Sequence, residues 1–495
     1  MSRAPLRPRA SPTRPGLVRL AEFVAGLTLE DLPPEVVAAA RLHLLDTLGC
    51  LIGAEATEVG RALLGLSPAD EARRRRVFSP TLGTRPGRGL PVVDEALRLQ
   101  QVLIASAQAH ALEFDDIHEA AAVCPGAVVI PAALAAAGGG RVPGARLLEA
   151  IVAGYEVSIR AGLALRAASL LPRGWWPSSL CGPLGAAAAA GKLLGLGVEP
   201  MAHALGIAGL HAGGLLAGGA EGPLGRHLLF GRAAHVGLLS ALAAAQGFTG
   251  PWRVFEDPRG LWAALGVPAN PGPLTGGLGR EYAVGQVSLK PYPCARQLHA
   301  AVFGILKLRD QGLRPEQLQR LEVHVPPAAR AIVDRPGPFP NGMAALASAQ
   351  YVLSVALMDG EVGLAQFVEA RWQQPALRSL MVRVRVTADP ALATAQPQGW
   401  PARLVARVGG QSMRLACPVA PGSPALPLTP EQISAKFEAL VLPVLGREGA
   451  RRLPEVVGGV ERLRTLAPLQ RALASRAGLP RSRRSVSMRR ERRGR

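Results

Sequence analysis

Apolar residues recur at three- and four-residue spacing over residues 17–54 (LVRLAEFVAGLTLEDLPPEVVAAARLHLLDTLGCLIGA), which predicts two helices. Thr28 with Asp31 is a helix-start signal. Pro33-Pro34 suits a first helical turn, where a missing N–H costs nothing. From 90 to 265 the chain is a succession of Ala- and Leu-rich segments separated by glycine and proline. The β-branched runs that strands need are scarce there, so a helical body is expected. The pattern changes after residue 276. Residues 318–326 (LQRLEVHVP), 380–388 (LMVRVRVTA) and 403–417 (RLVARVGGQSMRLAC) alternate apolar and polar positions, as half-buried strands do. Helix-like runs at 295–311 and 343–358 lie between them, and helical spacing returns from Thr429-Pro430-Glu431.

The expected fold is therefore mainly α: a large all-helical domain built from the N- and C-terminal segments, with a smaller α+β lid domain inserted. Its divisions fall at 17–275 (helical domain, first part), 276–424 (lid) and 425–475 (helical domain, C-terminal part). Residues 1–16 and 476–495 read as disordered basic ends. No internal repeat is visible.

Composition changes this picture little. With 495 residues and 48% apolar content the chain can bury a sizeable core. The net charge of +20 is concentrated. Residues 481–495 (RSRRSVSMRRERRGR) hold eight arginines against one acid, residues 1–19 hold five, and Arg73 to Arg76 form a run. Such runs are usually solvated segments that touch polyanions non-specifically. Aromatics are only 4%, without a stacking pattern, and no zinc-finger spacing occurs, so specific nucleic-acid recognition is not expected. The five cysteines are scattered, odd in number and lack any CxxC, which argues against a disulfide framework and for a reducing compartment. Residues 1–15 are too proline-broken for a signal peptide, and the apolar stretch 182–220 is interrupted by Lys192, Glu199, Pro200, His203 and His211. A cytoplasmic protein without membrane attachment is expected.

The chemistry concentrates in residues 110–136, HALEFDDIHEAAAVCPGAVVIPAALAA. Three acids (Glu113, Asp115, Asp116) and two histidines (His110, His118) crowd into nine positions ahead of an apolar run that must be buried. Proton transfer on a small molecule needs groups of this kind.

Seven ordered motifs now converge: LLDTLGCLIGA with HALEFDDIH…PGAVVIPAALA, GYEVSIRAG at 154–162, GPLGAAAAAGKLLGL at 182–196, GRAAHVGLLSALAAAQGFTGP at 231–251, SLKPYPCARQLHAA at 288–301 and ISAKFEALV at 433–441. Together they resemble the MmgE/PrpD family, which includes 2-methylcitrate dehydratase, cis-aconitate decarboxylase and iminodisuccinate epimerase. The resemblance covers roughly residues 17–475. It implies the two-part fold above, a homodimer, and a site between the two domains that uses no metal and no organic cofactor. The implied chemistry is proton transfer at carbon next to a carboxylate of a small organic acid, coupled to loss of water or carbon dioxide, or to inversion.

Carried over residue by residue, the resemblance makes Glu113, Asp116, Cys124, Lys290 and Tyr351 the catalytic candidates. It makes His118, Trp176, Arg226 and His299 the substrate-binding ones. Lys290, in KPYP, is one of only four lysines in an arginine-rich chain. Tyr351 has the alternative of a packed core tyrosine, and Asp115 that of a helix cap. Four positions depart from the family pattern. Ile117 stands for threonine, Cys124 for the histidine before the proline, Trp176 for a second histidine, and Arg226 for lysine. The pocket they imply is more apolar on one wall and cationic on the other, which fits an acid other than the usual tricarboxylate. A cysteine beside cations could serve as a base or nucleophile. Two further readings are an isomerase or cyclase of secondary metabolism and an inactive binding protein of the same fold.

Overall fold

The computed structural model describes residues 14–67, 92–138, 141–218, 221–395 and 399–474. The basic ends at 1–13 and 475–495 and the Arg73–Arg76 run lie outside the described residues. The two N-terminal helices form as the spacing predicts: α1 over Gly16–Gly26 and α2 over Pro34–Ala54, with Pro34 in the first turn. Between them Thr28 and Asp31 close a capping box, the Thr28 N–H donating to Asp31 Oδ2 at 2.8 Å.

After α3 (Glu58–Leu64) the helical body continues through six long helices. These are α4 (Val92–His110), α5 (Gly126–Ala137), α6 (Gly144–Ala164), α7 (Pro177–Leu194), α8 (Val198–Leu210) and α9 (His227–Ala245). Helix α5 is buried along its whole length, and α7 over all but its last two residues. That is why their sequences are apolar all round instead of striped. Two helical stretches, 34–54 and 224–245, are long and apolar enough to cross a membrane, and both pack the greater part of their length inside the protein.

A second apolar core begins at Cys294 and ends at Ala420. It is built on a four-stranded sheet of order β2-β1-β3-β4, from β1 (Leu318–Val325), β2 (Val384–Ala388), β3 (Ala402–Val408) and β4 (Gln411–Cys417). Strands β1 and β2 run parallel, and the other two pairings are antiparallel. Helices α10 (His299–Asp310) and α11 (Ala349–Asp359) cover the sheet. The run 403–417 is a hairpin that turns at Gly409 and Gly410, both at positive φ, where glycine carries no steric penalty. The strand expected from residue 380 starts only at 384. Pro375 opens a helical turn, Pro375–Met381, that takes up its first residues.

The chain then returns. Helix α12 (Pro430–Gly458), capped by Thr429 and bent at Gly446, and α13 (Ala467–Ala474) place Phe437, Leu440, Leu453 and Leu469 in the same core as α1 and α2. That first core also reaches forward to Val284 and Val287, past the expected boundary at 275, because this segment leads into a backbone pairing with the acidic loop.

Candidate active site

The acidic loop is held by the ends of α4 and α5. Glu113, three residues past the end of α4, lies in the left-handed region, φ 49°, which costs a non-glycine residue about 1–2 kcal/mol. Strain at a charged residue of this kind is a mark of function. Further on, the Ile117 N–H donates to the Ser288 carbonyl at 2.9 Å and Ser288 returns the bond at 2.8 Å. This is an antiparallel bridge, so two residues along it Asp115 faces Lys290. The pairing is propped from behind, where Leu289 N–H donates to the Gly422 carbonyl at 2.8 Å. Gly422 sits at φ +80°, and a Cβ there would lie 1.8 Å from the Leu289 oxygen, so only glycine fits. Arg296 fastens the same loop by donating to Glu119 from Nε at 2.9 Å and from Nη2 at 2.7 Å.

Five ionisable side chains meet at this point. Lys290 Nζ lies 3.4 Å from both Glu113 Oε2 and Asp115 Oδ1. His110 Nδ1 is 2.9 Å from Asp115 Oδ2, and Arg226 donates to Glu113. Lys290, Asp115, His110 and Glu113 are all buried. Burial opposes the charge on each, but the neighbours win. Asp115 and Glu113 raise the His110 and Lys290 pKa values, so both hold a proton. Arg226, His110 and Lys290 hold Glu113 well below the usual carboxylate range, and His110 and Lys290 lower Asp115. Three cations thus face two carboxylates, an excess of one positive charge.

Trp176 precedes α7 and forms the apolar wall. The Arg226 guanidinium stacks 4.3 Å above its ring, and His110 and Phe230 meet it edge-on. From the second core, Arg335 comes close enough for Arg226 to lower its pKa further after burial has done so.

The two neighbouring acids exchange the roles that the sequence reading gave them. Asp116 holds structure: Oδ1 accepts from the Gly126 N–H at 2.9 Å, at the N-terminus of α5, and Oδ2 accepts from the Tyr155 hydroxyl at 2.6 Å. A Cβ on Gly126 would meet Thr47, Tyr155 and Asp116 within 2.8 Å, which explains the glycine after Pro125. Asp115, read as a helix cap, is the carboxylate that faces Lys290.

Cys124 lines the cluster, with Sγ within 4.8 Å of a His110 nitrogen and an Asp115 oxygen. Burial first, then Asp115, pushes its thiol well above the ordinary range, and Lys290 does not compensate. It is a thiol at neutral pH, which corrects the expectation of a thiolate base or nucleophile. Iodoacetamide at pH 7 is accordingly expected to label Cys124 of the folded protein no faster than Cys181, whose pKa burial pushes up to about 12. Faster loss of Cys124 in peptide mapping would contradict this placement.

The three remaining candidates stand apart from direct chemistry. His118 Nδ1 accepts the Ala121 N–H at 3.2 Å within its own turn, and burial lowers its pKa to about 4. His299 lies between Arg296, which donates to Nδ1 at 3.2 Å, and the Cys294 carbonyl, 3.2 Å from Nε2. Both nitrogens are committed, so it positions Arg296 instead of exchanging protons. Tyr351 lies in the second core, its hydroxyl donating to the Gln366 carbonyl and its ring edge-on to Phe339, Phe367 and Trp372. That is the packed core tyrosine.

His110, Asp115 and Cys124 have spacing that could hold a divalent ion. Such an ion would have to displace Lys290 from Asp115 and strip protons from His110 and Cys124, so the donor set fits a resident metal poorly.

The chain matches the MmgE/PrpD N-terminal domain over residues 18–273 and the MmgE/PrpD C-terminal domain over 292–461. It belongs to the MmgE/PrpD family. The second match opens at 292, beside the start of the second core at Cys294, and runs on through α12, which returns to the first core. Among its relatives, the cis-aconitate decarboxylase-like protein oryM of Aspergillus oryzae is 30% identical over 59% of this chain and 61% of its own length. Cis-aconitate decarboxylase of Aspergillus terreus is 29% identical over 71% of this chain and 73% of its own. That of Mus musculus is 26% identical over 92% of each.

Proposed function

We propose that this MmgE/PrpD member is a lyase, specifically a carboxy-lyase that works without a metal or organic cofactor on a small unsaturated carboxylic acid. One observation carries the reading: His110 and Lys290 both pair with Asp115, which favours their protonated forms, while both nearby carboxylates are tied up in ion pairs. Loss of carbon dioxide breaks a C–C bond and leaves an electron pair on carbon, delocalised towards the adjoining double bond and a remaining carboxylate. The step needs cations to hold that charge and an acid to protonate the carbon. Dehydration or epimerisation starts instead with removal of a proton, and needs a free base.

The names of the cis-aconitate decarboxylase relatives point the same way. The single excess charge and the Trp176–Phe230 wall favour an acid with fewer carboxylates and a larger apolar part than cis-aconitate. The α+β unit would act as a lid on the side where Asn341 Nδ2 donates to the Gly222 carbonyl at 2.9 Å. A homodimer fits the exposed large apolar side chains between residues 198 and 252, among them Leu210, Leu215 and Phe248.

The reading is tested by incubating the protein in D2O with cis-aconitate and alkyl-substituted unsaturated mono- and dicarboxylates. Carbon dioxide release with one deuterium on the product carbon is expected. Solvent exchange or water loss without carbon dioxide would show a base-driven reaction, and binding without turnover an inactive descendant.

The ion pairs also set a pH dependence. Glu113 has a folded pKa below its ordinary 4.5, so its ionised form stabilises the fold above that value. This contribution is lost as pH falls through the depressed folded pKa. The stability gap between the wild type and Glu113→Gln in urea melts should be full at pH 6–7 and shrink below about pH 4.5. A gap independent of pH would contradict the pairing.

A further inference from the structure

Besides Cys124, the proposed chemistry leaves a second buried titratable group at the site unused. His227, the first residue of α9, is completely buried, and its ring lies 5.7 Å from that of His110. Neither of its ring nitrogens has a hydrogen-bond partner among the described residues, and neither has Arg226 Nε. His110 Nε2 is 3.2 Å from Glu113 Oε1 but out of line for a hydrogen bond. A buried polar atom without a partner is uncommon in a folded protein and calls for a reason. Here four lie on three neighbouring side chains, two of which, Arg226 and His110, already contact Glu113.

The chemistry of the three groups is complementary. Burial, with His110 and Arg226 beside it, lowers the His227 pKa to about 3, so the ring is neutral and carries one N–H. His110 is charged and its Nδ1–H is held by Asp115, which leaves Nε2–H to be used. Arg226 spends Nη2 on Glu113 and keeps Nε–H. Three N–H groups, two of them on cations, form a donor set for a carboxylate.

We propose that His227 is a substrate-binding residue: with Arg226 Nε and His110 Nε2 it seats the carboxylate that the substrate retains. The assignment rests on the reading of the site as one for small carboxylic acids. His227 gives this chain an imidazole donor beside His110, the ring that Trp176 meets edge-on and that lies near Cys124.

The test pairs stability with binding, using itaconate and cis-aconitate as probes in titration calorimetry and thermal melts. His227→Leu removes two buried unpartnered nitrogens, so the protein without ligand should melt higher, while probe affinity falls about 10- to 100-fold. His227→Gln, which keeps a donor, should retain part of the affinity, and it decides the matter if the leucine variant does not fold. Unchanged affinity in the variants, or no binding of either acid by the wild type, overturns the assignment. Weakened binding together with no carbon dioxide release by the wild type leaves the carboxylate seat standing and removes the lyase reading. Carbon dioxide release with an unaltered KM in His227→Leu does the reverse.

Discussion

Lys290→Met should lower kcat/KM for carbon dioxide release by about 10²–10³-fold, the usual cost of removing one preorganised charge from a developing anion. The side chain is buried and its ammonium lies 3.4 Å from each of the two site carboxylates. Methionine keeps the stem and deletes the charge, so cations no longer outnumber carboxylates and the seat loses its preference for an anion. Lys290→Arg should not recover the rate, because a planar fork cannot take the place of a compact donor wedged between two acids. The measurement is single-substrate kinetics on whichever acid the wild type decarboxylates, with circular dichroism to show that the fold is kept. Near-wild-type kcat/KM in the methionine variant would remove Lys290 from the chemistry.

The second large effect is on stability and comes from the far end of the chain. Lys436, on α12, is buried with Nζ 2.5 Å from Asp46 Oδ1 on α2, and it donates to the Phe114 carbonyl at 2.7 Å. It also lies 4.2 Å from the centre of the Phe114 ring. Lys436→Met should destabilise the protein by about 3–5 kcal/mol, because it leaves Asp46 buried without its cation. It also releases the carbonyl between Glu113 and Asp115, so catalysis should fall even in the molecules that remain folded. Adding Asp46→Leu should restore much of the stability, since a buried pair replaced by apolar groups is often tolerated. Turnover should stay low in the double variant, because Phe114 is still untied. Urea melts of the single and double variants give the comparison. Equal losses from Lys436→Met and the double variant would mean that the pair does not act as a unit.

Much of the fold can be read along the chain. The three-and-four spacing marks α1 and α2, and strand alternation marks β1 and the β3–β4 hairpin. The return of helical spacing at Thr429 marks the segment that closes the first core. Local rules are strong in each case, because periodicity, caps and turn glycines all act within a few residues. The strand start at 384 was less legible, since Pro375 favours a helical turn that the alternating run conceals.

The site was legible as a place and less so as an arrangement. The sequence singled out His110, Glu113, Asp115, Cys124, Lys290, Trp176 and Arg226, and these meet in the structure, whereas Asp116 and His118 from the same stretch do not join them. It could not say which of two adjacent acids faces the lysine. That choice depends on the Ile117–Ser288 bridge, a contact between segments far apart in the chain, and a shift of one residue in its register would exchange Asp115 and Asp116. Nor could it show that Tyr351 lies in the second core, or that burial, with Asp115 beside it, raises the pKa of the Cys124 thiol. His227 carried no signal at all, because a histidine next to an arginine in an apolar helix becomes unusual only when its burial and lack of partners are known.

By itself, then, the sequence determined the class of fold, the family and the residues from which the site is made, since these follow from local patterning and side-chain type. Tertiary structure alone decided which groups hold protons and which carboxylates are ionised. Charge in a buried site is set by the balance between desolvation and neighbours a few ångströms away, and those neighbours come from the end of α4, the acidic loop, the turn before α9 and the Ser288–Lys290 segment.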